Sequence, residues 1–146
     1  MMMVVAGVMI MPAMARETNP QHLLGQVDNL SVPEPVLKAF RKQFPGVNPK
    51  WEKEGNSFEA NFKYTNTEMS VVYLPDGSLV ETELEIFKDE LPASVIAYVK
   101  RHYKNAEIKE AAKITKAGGE VNYEAEVKGK DLLFDASGNF IKEVND

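Results

Sequence analysis

The sequence predicts an α+β fold in which a helix and four antiparallel strands occur twice in tandem, with the helices on one sheet face. Three observations support this prediction. The segment Val32–Phe44 returns as Leu91–Tyr103, with its proline and its apolar positions kept at an offset of 59 residues. After each segment the apolar period changes from about 3.6 residues to two, as it does between a helix and a strand. A glycine, Gly77 and then Gly138, marks the last turn of each unit.

The first unit, residues 32–89, opens with a helix predicted over residues 33–44. Its apolar side chains form one stripe of a helix, at Val36, Leu37, Phe40 and Phe44. Alternation of apolar and polar residues then predicts four strands, over residues 47–54, 58–64, 68–74 and 80–86. The second unit, residues 90–146, repeats this order, with a helix over residues 92–103 and strands over residues 107–116, 121–127, 131–134 and 140–144.

One helix covers only one face of a four-stranded sheet, so the polar strand residues are predicted to lie on an open, solvated face. We predict that this face binds a partner through Glu59, Asn61, Lys63, Glu81, Glu83, Glu85, Glu124 and Glu126. Carboxylates that alternate along a strand stand about 6–7 Å apart and repel one another unless a cation lies among them. Trp51, the only tryptophan, is predicted to be a core residue, with an interface aromatic as the alternative.

The composition excludes several classes of function. The chain has no cysteine, which rules out disulfides, thiolate metal sites and a cysteine nucleophile. Its two histidines, His22 and His102, have no second ligand at metal-binding spacing. A net charge of −5 without a basic patch argues against a nucleic-acid partner. With no nucleophile motif and no phosphate loop, we expect neither enzymatic activity nor a metal or other cofactor.

Residues 1–15 predict a secretory signal. The apolar run Met1–Met11 precedes a small-x-small site that ends at Ala15, and it is too short to span a bilayer of roughly 30 Å. No basic residue precedes Arg16, so a buried N-terminus is the alternative. Cleavage near Ala15 would leave residues 16–31 as a leader and place a protein without a membrane span in the periplasm or outside the cell.

Several segments together resemble a known family. They are Phe44-Pro45-Gly46, Trp51 followed by Phe58-Glu59-Ala60, Tyr123-Glu124-Ala125-Glu126, and the turn Phe134-Asp135-Ala136-Ser137-Gly138. In this order they resemble the PepSY-like family of exported Bacteroidetes proteins, also described as putative beta-lactamase-inhibitor-like, from Val32 to the C-terminus. The resemblance implies tandem helix-plus-sheet units similar to beta-lactamase inhibitory protein, a periplasmic location and no established enzymatic activity.

These observations predict a monomeric, non-enzymatic binding module, of the protein- or peptidase-inhibitor type, whose open sheet face binds a protein or peptide. The alternative is a protein that binds a small ligand or a divalent cation in a cleft between its two halves. The sequence leaves open whether the two sheets join into one.

Overall fold

The computed structural model describes residues 31–145, so the predicted signal, most of the leader and His22 lie outside the described residues. In chain order the elements are α1 (Glu34–Gln43), β1 (Lys50–Glu54), β2 (Ser57–Tyr64), β3 (Thr67–Tyr73), β4 (Leu79–Ile86), a 3-10 turn (Lys88–Glu90), α2 (Ala93–His102), β5 (Ile108–Lys116), β6 (Val121–Val127), β7 (Lys130–Asp135) and β8 (Phe140–Asn145). The predicted elements are all present, and their bounds shift by three residues at most. The largest shift is at β1, which begins after Pro49 because proline has no N–H to donate to a strand ladder.

The strands form a single antiparallel sheet in the order β1 to β8. The two predicted sheets join through β4 and β5, which pair from Glu81 opposite Lys116 to Ile86 opposite Ala111. The question that the sequence left open is therefore answered, because β4 and β5 are inner strands of one sheet rather than exposed edges.

Both helices pack on the same face of this sheet, over two apolar clusters. In the first cluster the predicted stripe of α1 is confirmed, since Val36, Phe40 and Phe44 are buried against β2 and β3, whereas Leu37 is only half-buried. The second cluster places α2 against β5, β6 and β7, and its buried residues are Leu91, Val95, Val99, Ile108, Ala111, Ala125, Val127, Leu132 and Phe134. Burying side chains of this kind stabilises the fold by roughly 1.5–3 kcal/mol each.

Two glycine turns lie against the first turns of the helices. Gly77, between β3 and β4, has a φ of +87°, and a Cβ atom there would lie 2.6 Å from the backbone oxygen of Pro35. Gly138, between β7 and β8, has a φ of +82°, and a Cβ atom there would overlap the hydroxyl of Ser94. That hydroxyl donates a hydrogen bond of 2.9 Å to the carbonyl oxygen of Ser137. Each helix thus packs against a hairpin turn whose glycine has no space for a side chain.

We expect Gly77→Ala to lower the free energy of unfolding by about 1–2 kcal/mol more than Gly46→Ala. Both glycines have positive φ, so both substitutions strain the backbone, but Gly46 has no atom within 4 Å of an added Cβ. Urea unfolding followed by circular dichroism measures the difference. Equal losses for the two variants would show that the turn does not press on α1.

Candidate functional site

The polar strand residues lie on the sheet face opposite the helices, called the acidic face below. Because side chains alternate along a strand, Glu59 points away from the side of β2 that carries Phe58 and Ala60. Strand pairing determines which residues are neighbours across this face. Glu83, for example, lies between Ser70 of β3 and Ile114 of β5. The sequence therefore predicts correctly which residues lie on this face.

The prediction that this face is solvated is wrong at its centre. Of the eight predicted residues, Glu59, Glu81, Glu83 and Glu124 are buried. Asn61 and Glu126 are half-buried, and only Lys63 and Glu85 are exposed. For Glu81 and Glu83 one physical reason is that the two sheets are one, so β4 lies in the middle of a sheet instead of at an edge.

Five buried carboxyl groups form the acidic cluster at the centre of this face: Glu59, Glu81, Glu83, Glu124 and Asp131. The pKa of Glu83 is held well above its usual range, first by burial and then by repulsion from the other four members. Burial raises the pKa of Glu59 to about 7, although a hydrogen bond with Ser70 opposes the rise. Burial also raises the pKa of Glu81, against the attraction of Lys116, whose Nζ lies 3.7 Å from Oε2 of Glu81.

Buried acceptor atoms on the acidic face lack a donor among residues 31–145, and two of them belong to residues that are almost fully buried. These two are Oε2 of Glu83 and Oδ1 of Asn122, in residues that are 7% and 4% exposed; Oε2 of the half-buried Glu110 is a third. Ile114 of β5 lies between them, paired with Glu83 on one side and Asn122 on the other. Buried acceptors without a donor are rare in folded proteins, so a pair of them on one face indicates a place where a donor binds.

Asn122 and Asp131 were not among the predicted site residues. Asn122 precedes Glu124 and Glu126 in the alternation of β6, and this alternation is the signal that could have identified it. Asp131 follows the turn at Lys128 and Gly129 and stands alone as an acid in the buried part of β7. A single polar residue beside a turn is an ordinary surface feature, so no comparable signal existed for it.

One end of the acidic face is paired in charge. Ion pairs join Lys50 to Glu52 on β1, at 3.0 Å, and Lys63 of β2 to Glu68 of β3, at 3.2 Å. Exposed pairs of this kind contribute little to stability. Glu85 of β4 and Glu126 of β6 add further acidic side chains at the rim.

Trp51 belongs to the helix side of the sheet. Its ring lies 5.4 Å from that of Phe40 in an edge-to-face contact and 6.4 Å from that of Tyr73, and the residue is half-buried. These contacts favour the predicted core role over the alternative of an interface aromatic on the acidic face.

Two further predictions concern metal binding and a membrane span. Within the described part of the chain, no group of three or more histidine, aspartate or glutamate side chains is arranged to hold a metal ion. The exposed His102 of α2 contacts Tyr98, with 4.2 Å between ring centroids and the rings tilted by 32°. No helix between residues 31 and 145 is long and apolar enough to cross a membrane.

Comparison with known families identifies the class of protein. The family described as "Putative beta-lactamase-inhibitor-like, PepSY-like" matches residues 56–142, more than half of the chain. The chain therefore belongs to the PepSY-like family, and the resemblance seen in the sequence is confirmed. No curated protein sequence matches the chain.

Solved structures share this fold at low sequence identity. A putative periplasmic protein of Bacteroides eggerthii superposes with a TM-score of 0.70 at 18% identity, over 79% of this chain and 89% of that one. A DUF2874 family protein of Bacteroides ovatus superposes with a TM-score of 0.67 at 21% identity, over 79% and 88%. A BLIP-like protein of Bacteroides fragilis gives 0.57 at 21% identity, over 80% and 87%. These similarities establish the fold.

Proposed function

We propose that the protein is a non-enzymatic binding module of the periplasm or the cell exterior, and that it binds a protein or peptide segment on its acidic face. The PepSY-like family, the BLIP-like fold and the periplasmic proteins among the similar structures support this proposal. The predicted signal over residues 1–15, cleaved near Ala15, accounts for export.

The observation that carries the proposal is the pair of buried acceptors without donors, Oε2 of Glu83 and Oδ1 of Asn122, beside the acidic cluster. The acidic face belongs to one eight-stranded sheet and is therefore broad, and both helices pack on the opposite side. A broad surface suits a protein or peptide segment better than a small molecule. The lack of a three-ligand metal group among residues 31–145 favours this partner over a divalent cation.

The proposal predicts that charge reversal at the rim of the acidic face abolishes partner binding while the fold is kept. The double variant Glu85→Lys/Glu126→Lys changes one exposed and one half-buried residue on this face. Tagged wild-type and variant proteins are used to capture partners from a periplasmic extract, which is then quantified by mass spectrometry. We expect every specific partner to fall at least about tenfold with the variant, because like charges placed across an interface are strongly unfavourable.

The matched control is Glu107→Lys/Glu120→Lys, which changes the net charge equally at exposed residues outside the strands. It is expected to capture the same partners as the wild type. Partners that bind both variants as well as the wild type would place the binding surface elsewhere.

We also infer that residues 32–89 and 90–146 are two copies of one ancestral unit. The offset of 59 residues relates Pro33 to Pro92, and both residues immediately precede a helix. Gly77 and Gly138 take equivalent positions against those helices, both with positive φ. The acidic face spans both copies, so one copy alone would hold only part of the binding surface.

A further inference from the structure

We propose that the acidic cluster binds one arginine or lysine side chain of the bound segment, with Oε2 of Glu83 and Oδ1 of Asn122 among its acceptors. This inference rests on the proposed function, and it names the chemistry by which the acidic face recognises its partner.

The first argument concerns hydrogen bonds. Oδ1 of Asn122 accepts hydrogen bonds, and so does Oε2 of Glu83 once that carboxyl group is ionised, so these two buried atoms call for a ligand that donates. An ammonium group supplies three donors and a guanidinium group five. Hydrogen bonds to charged groups are also stronger than those between neutral groups, which favours a cation over a hydroxyl or an amide.

The second argument concerns the apolar residues between the acidic ones. Val72 lies between Glu59 and Glu81 across the strands, and Ile114 lies between Glu83 and Asn122. Val72, Ile114 and the neighbouring Ala112 are all buried on this face. Lysine and arginine have an aliphatic stem and a charged end, so the stem can pack on these apolar residues while the charged end reaches the acceptors. A hydrated metal ion has no aliphatic part that could pack on them.

The third argument concerns charge. The groups that face Glu83 from the strands around it are Glu59 of β2, Glu81 of β4, Glu124 of β6, Asp131 of β7 and, through its pair with Glu81, Lys116 of β5. From β3 the nearest residues, Ser70 and Val72, carry no charge. The four acids all act against ionisation of Glu83 or lie beside it, and a cationic side chain is complementary to such a group of acids.

Binding of the cation should also release a proton. Burial and repulsion from its acidic neighbours raise the pKa of Glu83 and so favour its protonated form in the free protein. A cation beside the carboxyl group favours its ionised form, so a proton leaves to solvent and the carboxylate pairs with the ligand. The affinity should therefore rise with pH over the range in which Glu83 is protonated in the free protein and ionised in the complex.

The test is selection of a phage-displayed library of random heptapeptides on the immobilised protein, residues 16–146. We expect the selected peptides to share one basic residue. That preference should persist on Glu107→Gln, which removes one exposed carboxylate outside the strands, and should be lost on Glu83→Gln. Folding of each variant is checked by circular dichroism.

Two other outcomes separate this inference from the proposed function. In the first, the selected peptides lack a basic residue and yet fail to bind Glu85→Lys/Glu126→Lys. That result would overturn the proposed binding of an arginine or lysine side chain but leave the acidic face as the binding surface. Peptides that bind this double variant unchanged, or the absence of any selected peptide, would overturn both proposals.

Discussion

Glu83→Gln is expected to raise the free energy of unfolding at pH 8 by about 1–3 kcal/mol, which corresponds to a rise in Tm of about 5–10 °C. Glu83 is buried among other acids, and one of its oxygens has no donor among the described residues. As the pH rises, the carboxyl group ionises readily in the unfolded chain but with difficulty in this buried setting, so the wild-type fold loses stability. Glutamine keeps nearly the same shape and stays neutral, so the substitution removes this loss.

The sign of the pH dependence follows from the raised pKa. A carboxyl group whose pKa is higher in the folded than in the unfolded state contributes stability that is complete below the unfolded pKa, near 4.5, and is lost as the pH rises through the folded pKa. The advantage of Glu83→Gln should thus be small at pH 4 and should grow toward pH 8. Glu59→Gln should behave similarly, with its gain appearing between about pH 4.5 and 7.

Urea unfolding at intervals between pH 4 and pH 8 measures this advantage, and Glu85→Gln is the matched control because Glu85 is an exposed residue of the same strand. We expect no pH-dependent gain from the control. A Glu83→Gln variant that is less stable than the wild type at pH 8 would mean that the carboxylate is well paired in the folded protein.

Phe40→Ala is expected to lower the free energy of unfolding by about 3–5 kcal/mol. Phe40 is buried at the centre of the first apolar cluster, and its ring contacts those of Phe44, Trp51 and Phe62 at centroid distances of 5.3, 5.4 and 5.2 Å. Removing it leaves a cavity that three rigid rings cannot easily fill. Phe40→Asp, which would also bury an unpaired charge, should unfold the protein.

Urea unfolding compares Phe40→Ala with Leu37→Ala, a truncation on the same helix at a half-buried position. The Leu37 variant should lose less than half as much free energy. Equal losses would contradict the packing of α1 through the Phe40 side of the helix.

Local sequence patterns predict the elements of this fold well, because each helix and each strand here has an amphipathic period of its own. Val36, Phe40 and Phe44 lie on a single stripe, and the strands alternate cleanly between core and polar residues. The joining of the two sheets could not be predicted in this way. It depends on pairing between β4 and β5, strands that are separated in the sequence by α2, and periodicity carries no information on such pairing.

The candidate site was predicted in part. Alternation assigns Glu59, Glu83 and Glu124 to the face opposite the helices, but it gives no measure of how deeply that face is buried. Acidic residues are rarely buried, so solvation is the natural expectation from sequence. The burial depends on the packing of side chains across one continuous sheet. The donorless oxygen of Asn122 is likewise a property of the packed structure alone.

The count of protons released on binding tests the central claim most directly. A peptide selected for its basic residue is titrated into the protein at pH 6.5 by calorimetry in two buffers that differ in ionisation enthalpy. We predict that the wild type and Glu107→Gln release more protons on binding than Glu83→Gln. Equal proton counts for the wild type and Glu83→Gln would contradict the assignment of the acidic cluster as the binding site of a cationic side chain.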